Sequence, residues 1–76
     1  MTEVTLMQII GNNIKELLDE YPMTQKELAE IIHLDKSTIS RYTNGEAMPS
    51  LKNLLNIVYA LNCDITDIVD VYGRIE

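Results

Sequence analysis

The stretch T24-QKELAEIIHLDKSTISRYTN-G45 contains two short helical patterns and a break between them. Thr24 and Glu27 have the T-x-x-E spacing of a capping box, in which each side chain satisfies a backbone amide at the other's position. A helix therefore starts here, with Leu28, Ala29, Ile31 and Ile32 as its inward residues, enough for about two turns. The phase breaks at His33-Leu34-Asp35. Asp35 is a favoured N-cap, and Lys36–Thr43 restarts a helix after only about three residues. Asn44-Gly45 ends it, because both residue types tolerate left-handed backbone.

Three further helices surround this pair, and no segment reads as a strand. Upstream, Leu6, Ile10, Ile14, Leu17 and Leu18 recur at helical spacing, predicting a helix over about 6–20 with Thr5 and Gln8 able to cap it. Tyr21-Pro22 closes it, since the residue before a proline is pushed out of helical geometry. Downstream, Glu46–Ser50 is a loop, Ser50 caps a helix through Leu51–Leu61, and Asp64 introduces a short fifth helix over about 65–72. The expected architecture is all-α: one compact five-helix domain spanning 1–76, with a helix-turn-helix at about 24–44 formed by helices two and three.

Size and composition exclude several functions. Seventy-six residues make one domain whose core is aliphatic, because the only aromatic residues are four tyrosines. One Cys and one His rule out an intrachain disulfide and argue against a Cys/His zinc site. Cys63 reads as a small apolar residue in a reducing compartment. No nucleophile, base and orienting group converge as an enzyme requires, so neither catalysis nor a cofactor is expected. No apolar run is long enough to span a membrane and the N-terminus lacks a cationic signal-peptide start, so a cytoplasmic protein is expected.

The net charge of -6 opposes unspecific attraction to nucleic acid. Its distribution is uneven. Between Thr24 and Asn53, Lys26, Lys36, Arg41 and Lys52 balance Glu27, Glu30, Asp35 and Glu46. The acidic excess lies wholly in the flanks, which predicts a neutral-to-basic face between acidic ends.

With Ile39 in the core and about 100° advanced per residue, Tyr42 and Thr43 stay on the inner side of the third helix while Ser37 and Arg41 face away. Thr38 and Ser40 flank them, and Lys36 stands at the leading end. Short hydroxyls around one guanidinium suit DNA: Arg can donate two parallel bonds to guanine N7 and O6, and Ser or Thr can give or take one at a base edge. Helix starts near Thr24 and Ser50 offer amides to phosphate.

The set TQKELA, Leu34, STIS, NG, the Pro-Ser before helix four, and the Leu and Ile positions through LLNIVYALNCDITDI resembles the lambda-repressor-like (Cro/repressor, XRE-type) family over residues 11–69. The resemblance implies a sequence-specific transcriptional regulator, phage or prophage repressor-like or Cro-like, that reads the operator major groove with helix three as a homodimer. By position, Gln25 corresponds to the family's glutamine bracing the start of helix two. Lys36, Ser37, Thr38, Ser40 and Arg41 correspond to residues facing bases or adjacent phosphate, and Asn44 to one near phosphate. Lys52 adds a phosphate contact. Three departures stand out: His33 sits where a turn glycine is common, Leu18 and Thr43 replace a buried Arg–Glu pair, and the chain is acidic.

The remaining candidates carry plainer readings. His33 is a turn residue; Met1, Met7, Met23 and Met48 are core filler or loop residues; Asp64, Asp67 and Asp70 form a solvated face with charge favourable to a helix N-terminus. Ile65, Ile68, Val69, Val71, Tyr72 and Ile75 either pack on the first helix or form a dimer contact through the segment at about 64–72. An alternative function belongs to another class: an acidic modulator, co-repressor or antirepressor, docking on another repressor protein with the same fold.

Overall fold

The computed structural model describes residues 3–69, with side chains from residue 5 onward. Five helices follow in order, α1 (Glu3–Glu20), α2 (Gln25–Ile32), α3 (Lys36–Thr43), α4 (Leu51–Ala60) and α5 (Ile65–Ile68), with no strand among the described residues. The helix-turn-helix is α2 and α3, which pack on each other; α1 supports α3 and α5, and α4 closes the bundle against α2 and α5.

One aliphatic core joins all five. Ile10, Ile14 and Leu18 enter from α1, Leu28 and Ala29 from α2, Ile39 and Tyr42 from α3, Leu54 and Ile57 from α4, with Leu61 following it, and Ile68 from α5. The α1 contributors recur every four residues, so they form one stripe on that helix. Ala29 is buried within this core, where its small side chain admits a close helix crossing.

Local chemistry sets the helix ends. Glu27 N–H donates to Thr24 Oγ1 at 3.1 Å and Thr24 N–H to Glu27 Oε1 at 3.0 Å, completing the expected capping box. At the other end of α2, His33 adopts φ 59, ψ 44, so the turn position expected to tolerate left-handed backbone does so without glycine. Ser50 Oγ accepts from Asn53 N–H and starts α4. After α3, Glu46 N–H returns to the Arg41 carbonyl at 2.8 Å and Gly45 N–H to Tyr42 at 3.1 Å. Only Gly45 is left-handed in this turn, at φ 72; Asn44 stays right-handed at φ -88.

Several boundaries differ from the sequence reading. The first helix begins by Glu3, which places Thr5 inside it rather than at its cap. Asp35 occupies the N-cap position of α3 without a side-chain cap bond; its carbonyl accepts from Thr38 and Ile39 instead. Ile31, grouped with the inward residues of α2, is 51% exposed. It lies about 110° around the helix from the direction shared by Leu28, Ala29 and Ile32, farther than a two-turn helix can cover. The fifth helix ends at Ile68, because Val69 leaves helical geometry at φ -109, ψ 76. Met1, Asp70, Val71, Tyr72 and Ile75 lie outside the described residues.

The carboxylates of α5 serve the chain itself: Asp64 N–H donates to Asp67 Oδ2 at 2.9 Å. Burial, and then these two neighbouring carboxylates, push the half-buried Cys63 thiol up from its ordinary pKa. Among the described residues no group of His, Cys, Asp and Glu could hold a metal ion, and no helix is long and apolar enough to cross a membrane.

Candidate nucleic-acid interface

The residues singled out on α3 divide by depth. Ile39, Tyr42 and Thr43 are buried, so the helix has a fixed inner side, as the periodicity requires. Lys36, Ser37, Arg41 and Asn44 are exposed; Thr38 and Ser40 are half-buried along the edges. No carboxylate lies within α3 itself, and among the described residues neither Lys36 nor Arg41 is held in an ion pair. The result is an exposed ridge of hydroxyls and two cations, and among the described residues no pocket opens beside it. Arg41, in the last turn, also matches the negative end of the helix dipole.

The inner edge of this ridge is fastened to α2 by a closed set of uncharged bonds. Ser40 Oγ–H donates to Gln25 Oε1 at 2.7 Å, Gln25 Nε2–H donates to Thr43 Oγ1 at 3.2 Å, and Thr43 Oγ1–H donates to the Ser40 carbonyl at 3.0 Å. This refines two expectations. Gln25, expected to brace the backbone where α2 starts, instead grips α3. Ser40, expected as an outward hydroxyl, has its proton committed inward. Of the two positions where a buried ion pair is absent, Thr43 on α3 is satisfied by Gln25 and the Ser40 carbonyl, while Leu18 on α1 lies in the apolar core, so no charge is buried at either.

Lys52 stands exposed in the first turn of α4, on a separate helix. Its neighbour Asn53 ties that helix start to the motif, donating from Nδ2 to Tyr42 Oη at 3.0 Å. At the start of α2, the Thr24 amide and then its hydroxyl hold the exposed Glu27 carboxyl below the usual carboxylate range. Glu27 is thus anionic at neutral pH and occupied with capping.

Sequence reasoning missed three residues that set this geometry. Asn53 and Asn13 read as ordinary polar helix positions, yet Asn13 is buried and its Nδ2 donates to the Ile68 carbonyl at 2.7 Å, joining α1 to α5. Gly11 stands where a Cβ would lie 2.4 Å from the Tyr42 carbonyl oxygen and 2.9 Å from that of Thr43. The position of each on the buried side of its helix was the available signal; the partner was not.

Comparisons with known proteins place this geometry. A family model described as helix-turn-helix matches residues 14–68. A protein named as an HTH-type transcriptional regulator from Methanothermobacter thermautotrophicus is 32% identical over 67 residues, covering 88% of this chain and 22% of the relative. The antitoxin PezA of Streptococcus pneumoniae is 36% identical over 61 residues, covering 80% of this chain and 39% of the relative. The chain thus spans between about a fifth and two fifths of the length of these curated relatives. Among solved structures, the restriction-modification controller protein C.AhdI from Aeromonas hydrophila superposes with a TM-score of 0.77 at 26% identity, covering 82% of this chain and 94% of its own. A transcriptional regulator from Vibrio cholerae gives 0.85 at 19% identity over 96% of this chain and 41% of that one, a likeness of fold.

Proposed function

This chain belongs to the helix-turn-helix family, whose fold is that of transcriptional regulators, and on that premise we propose that it is a sequence-specific DNA-binding regulator of the phage repressor or Cro-like kind, acting in the cytoplasm. One observation carries the reading. In a chain of net charge -6, the helix whose inner side is held by the buried Ile39, Tyr42 and Thr43 presents Lys36, Ser37 and Arg41 to solvent with no carboxylate among its own residues. Short polar side chains let a helix approach base edges closely, and a guanidinium supplies the bidentate contact to guanine. Lys36, Thr38 and Asn44 flank this contact, and Lys52 adds a phosphate contact from α4.

Arg41→Ala is expected to lose about 1–3 kcal/mol on the best site and to relax the preference at one base pair, whereas Lys52→Ala weakens all sequences similarly and flattens the salt dependence. Fluorescence anisotropy on promoter-region duplexes at several salt concentrations checks both. Unchanged binding by Arg41→Ala would remove α3 from the interface, and unchanged binding by Lys52→Ala would remove the start of α4.

The regulator acts as a homodimer on a two-fold site, its α3 helices entering major grooves about 34 Å apart. The face that supports this lies on α4, where Leu51, Leu55 and Tyr59 recur every four residues and are 68%, 49% and 87% exposed. Ala47–Cys63 contains no carboxylate. Two copies of so acidic a chain meet at least electrostatic cost through such a face. Leu55→Glu is expected to raise the dimer dissociation constant by about tenfold or more, equivalent to about 1.4 kcal/mol. Sedimentation of parent and variant reads this directly; equal association in both would exclude the face.

A second reading is favoured by the similarity to an antitoxin: the chain docks on another regulator, its acidic α1 end meeting a basic surface. Binding to promoter DNA only in the presence of that regulator would select it over the first.

A further inference from the structure

The direction of the hydrogen bonds around Ser40 has a consequence for base choice, and it rests on the reading of α3 as the groove helix. A serine hydroxyl has one proton and two lone pairs. At position 40 the proton is given to Gln25 Oε1 at 2.7 Å. Gln25 cannot release it cheaply, because its amide is itself oriented by donating to Thr43 Oγ1 at 3.2 Å, and the Thr43 proton is spent on the Ser40 carbonyl at 3.0 Å. The three bonds run in one direction, and both hydroxyl protons are spent in them. What Ser40 offers outward is a lone pair.

Ser40 lies one turn after Lys36 and Ser37 on α3 and is half-buried, at the edge of the exposed ridge. We propose that Ser40 is a specificity-determining acceptor whose polarity is set by Gln25. Each base presents either an amino donor or a carbonyl acceptor at its major-groove edge: adenine N6 and cytosine N4 donate, guanine O6 and thymine O4 accept. A serine free to rotate reads both kinds. One whose proton is committed accepts only from an amino group. At the base nearest Ser40 the protein selects adenine or cytosine on the contacted strand and rejects guanine and thymine. Gln25 acts here as a positioning residue, without touching the base.

Selection of bound sites from a randomised duplex pool tests this, using the parent, Ser40→Ala, Gln25→Leu and Gln25→Glu, each checked for helicity by circular dichroism. The parent enriches a motif in which one position is restricted to A or C, and in Ser40→Ala the preference there falls by roughly 2- to 10-fold, the worth of one neutral hydrogen bond. Gln25→Leu frees the serine proton, so guanine and thymine become acceptable at that position alone. Gln25→Glu provides another oxygen for the proton and keeps the restriction, although its added negative charge weakens every sequence.

A parent motif with guanine or thymine at the position sensitive to Ser40→Ala would overturn the assignment. So would a motif in which no position responds to Ser40→Ala, or a Gln25→Leu variant weakened equally on all sequences without broadening. Enrichment of no motif by the well-folded parent would instead overturn the reading of α3 as a groove helix, and this inference with it.

Discussion

Gly11→Ala is expected to destabilise the protein by about 3 kcal/mol, at the upper end of what overpacking costs, and to lower its melting temperature by roughly 12–24 °C. The sign is opposite to the usual one. In an exposed helix interior, alanine in place of glycine stabilises by about 1 kcal/mol, because glycine loses more backbone entropy on folding. Here the added Cβ would stand 2.4 Å from the carbonyl oxygen of Tyr42 and 2.9 Å from that of Thr43. Both obstacles are backbone atoms, so no side-chain rotation relieves the contact. The end of α3 and the middle of α1 must move apart by roughly an ångström to restore ordinary van der Waals separation, which forfeits packing on both sides.

That loss is large for this domain. A core of this size supplies only about 3–5 kcal/mol of net stability, so much of the Gly11→Ala population would be unfolded at 37 °C. Asn12→Ala, one residue on and exposed, is the matched control and is expected to leave stability within about 0.5 kcal/mol or raise it slightly. Thermal melting followed by circular dichroism compares the two. A Gly11→Ala protein melting at or above the parent's temperature would mean that α1 does not approach the end of α3 this closely.

Ile39→Ala is expected to cost about 2–5 kcal/mol, the range for deleting a fully buried branched side chain, and to abolish DNA binding through loss of the fold. Ile39 has no exposed surface and lies in the core with Leu28, Ala29 and Tyr42, where α2 and α3 pack on each other. Ile31→Ala deletes the same atoms from a site that is 51% exposed, and is expected to cost less than about 1 kcal/mol. Urea denaturation of the pair measures the difference between two isoleucines eight residues apart in the motif. A larger loss at Ile31 than at Ile39 would mean that α2 is rotated from its position here.

The local chemistry of Thr24–Gly45 explains why so much of this architecture was legible. A capping box, a residue that tolerates left-handed geometry at His33, a second N-cap position at Asp35 and a terminating Gly45 all act within a few residues of themselves, and each lies where the sequence placed it. Periodicity also assigned the inner side of α3 correctly, since Ile39, Tyr42 and Thr43 share one face of any regular helix whatever packs against it. It failed for Ile31, because α2 carries apolar residues on more of its circumference than α3 and α4 cover. It failed also at Thr5, where a plausible cap lay inside a helix that began upstream.

Local sequence therefore determined the number of helices, the position of the motif and the residues its third helix turns outward, because hydrogen bonds to near neighbours and a 3.6-residue repeat depend on nothing distant. Partnership across the bundle was left to the folded packing. Gln25 meets Ser40 and Thr43 fifteen and eighteen residues away, Asn13 meets Ile68 across fifty-five, and Gly11 is forced by the carbonyls of α3. Such contacts follow from the angles and distances at which helices settle against a shared core, and those arise from the volumes of all the buried side chains together.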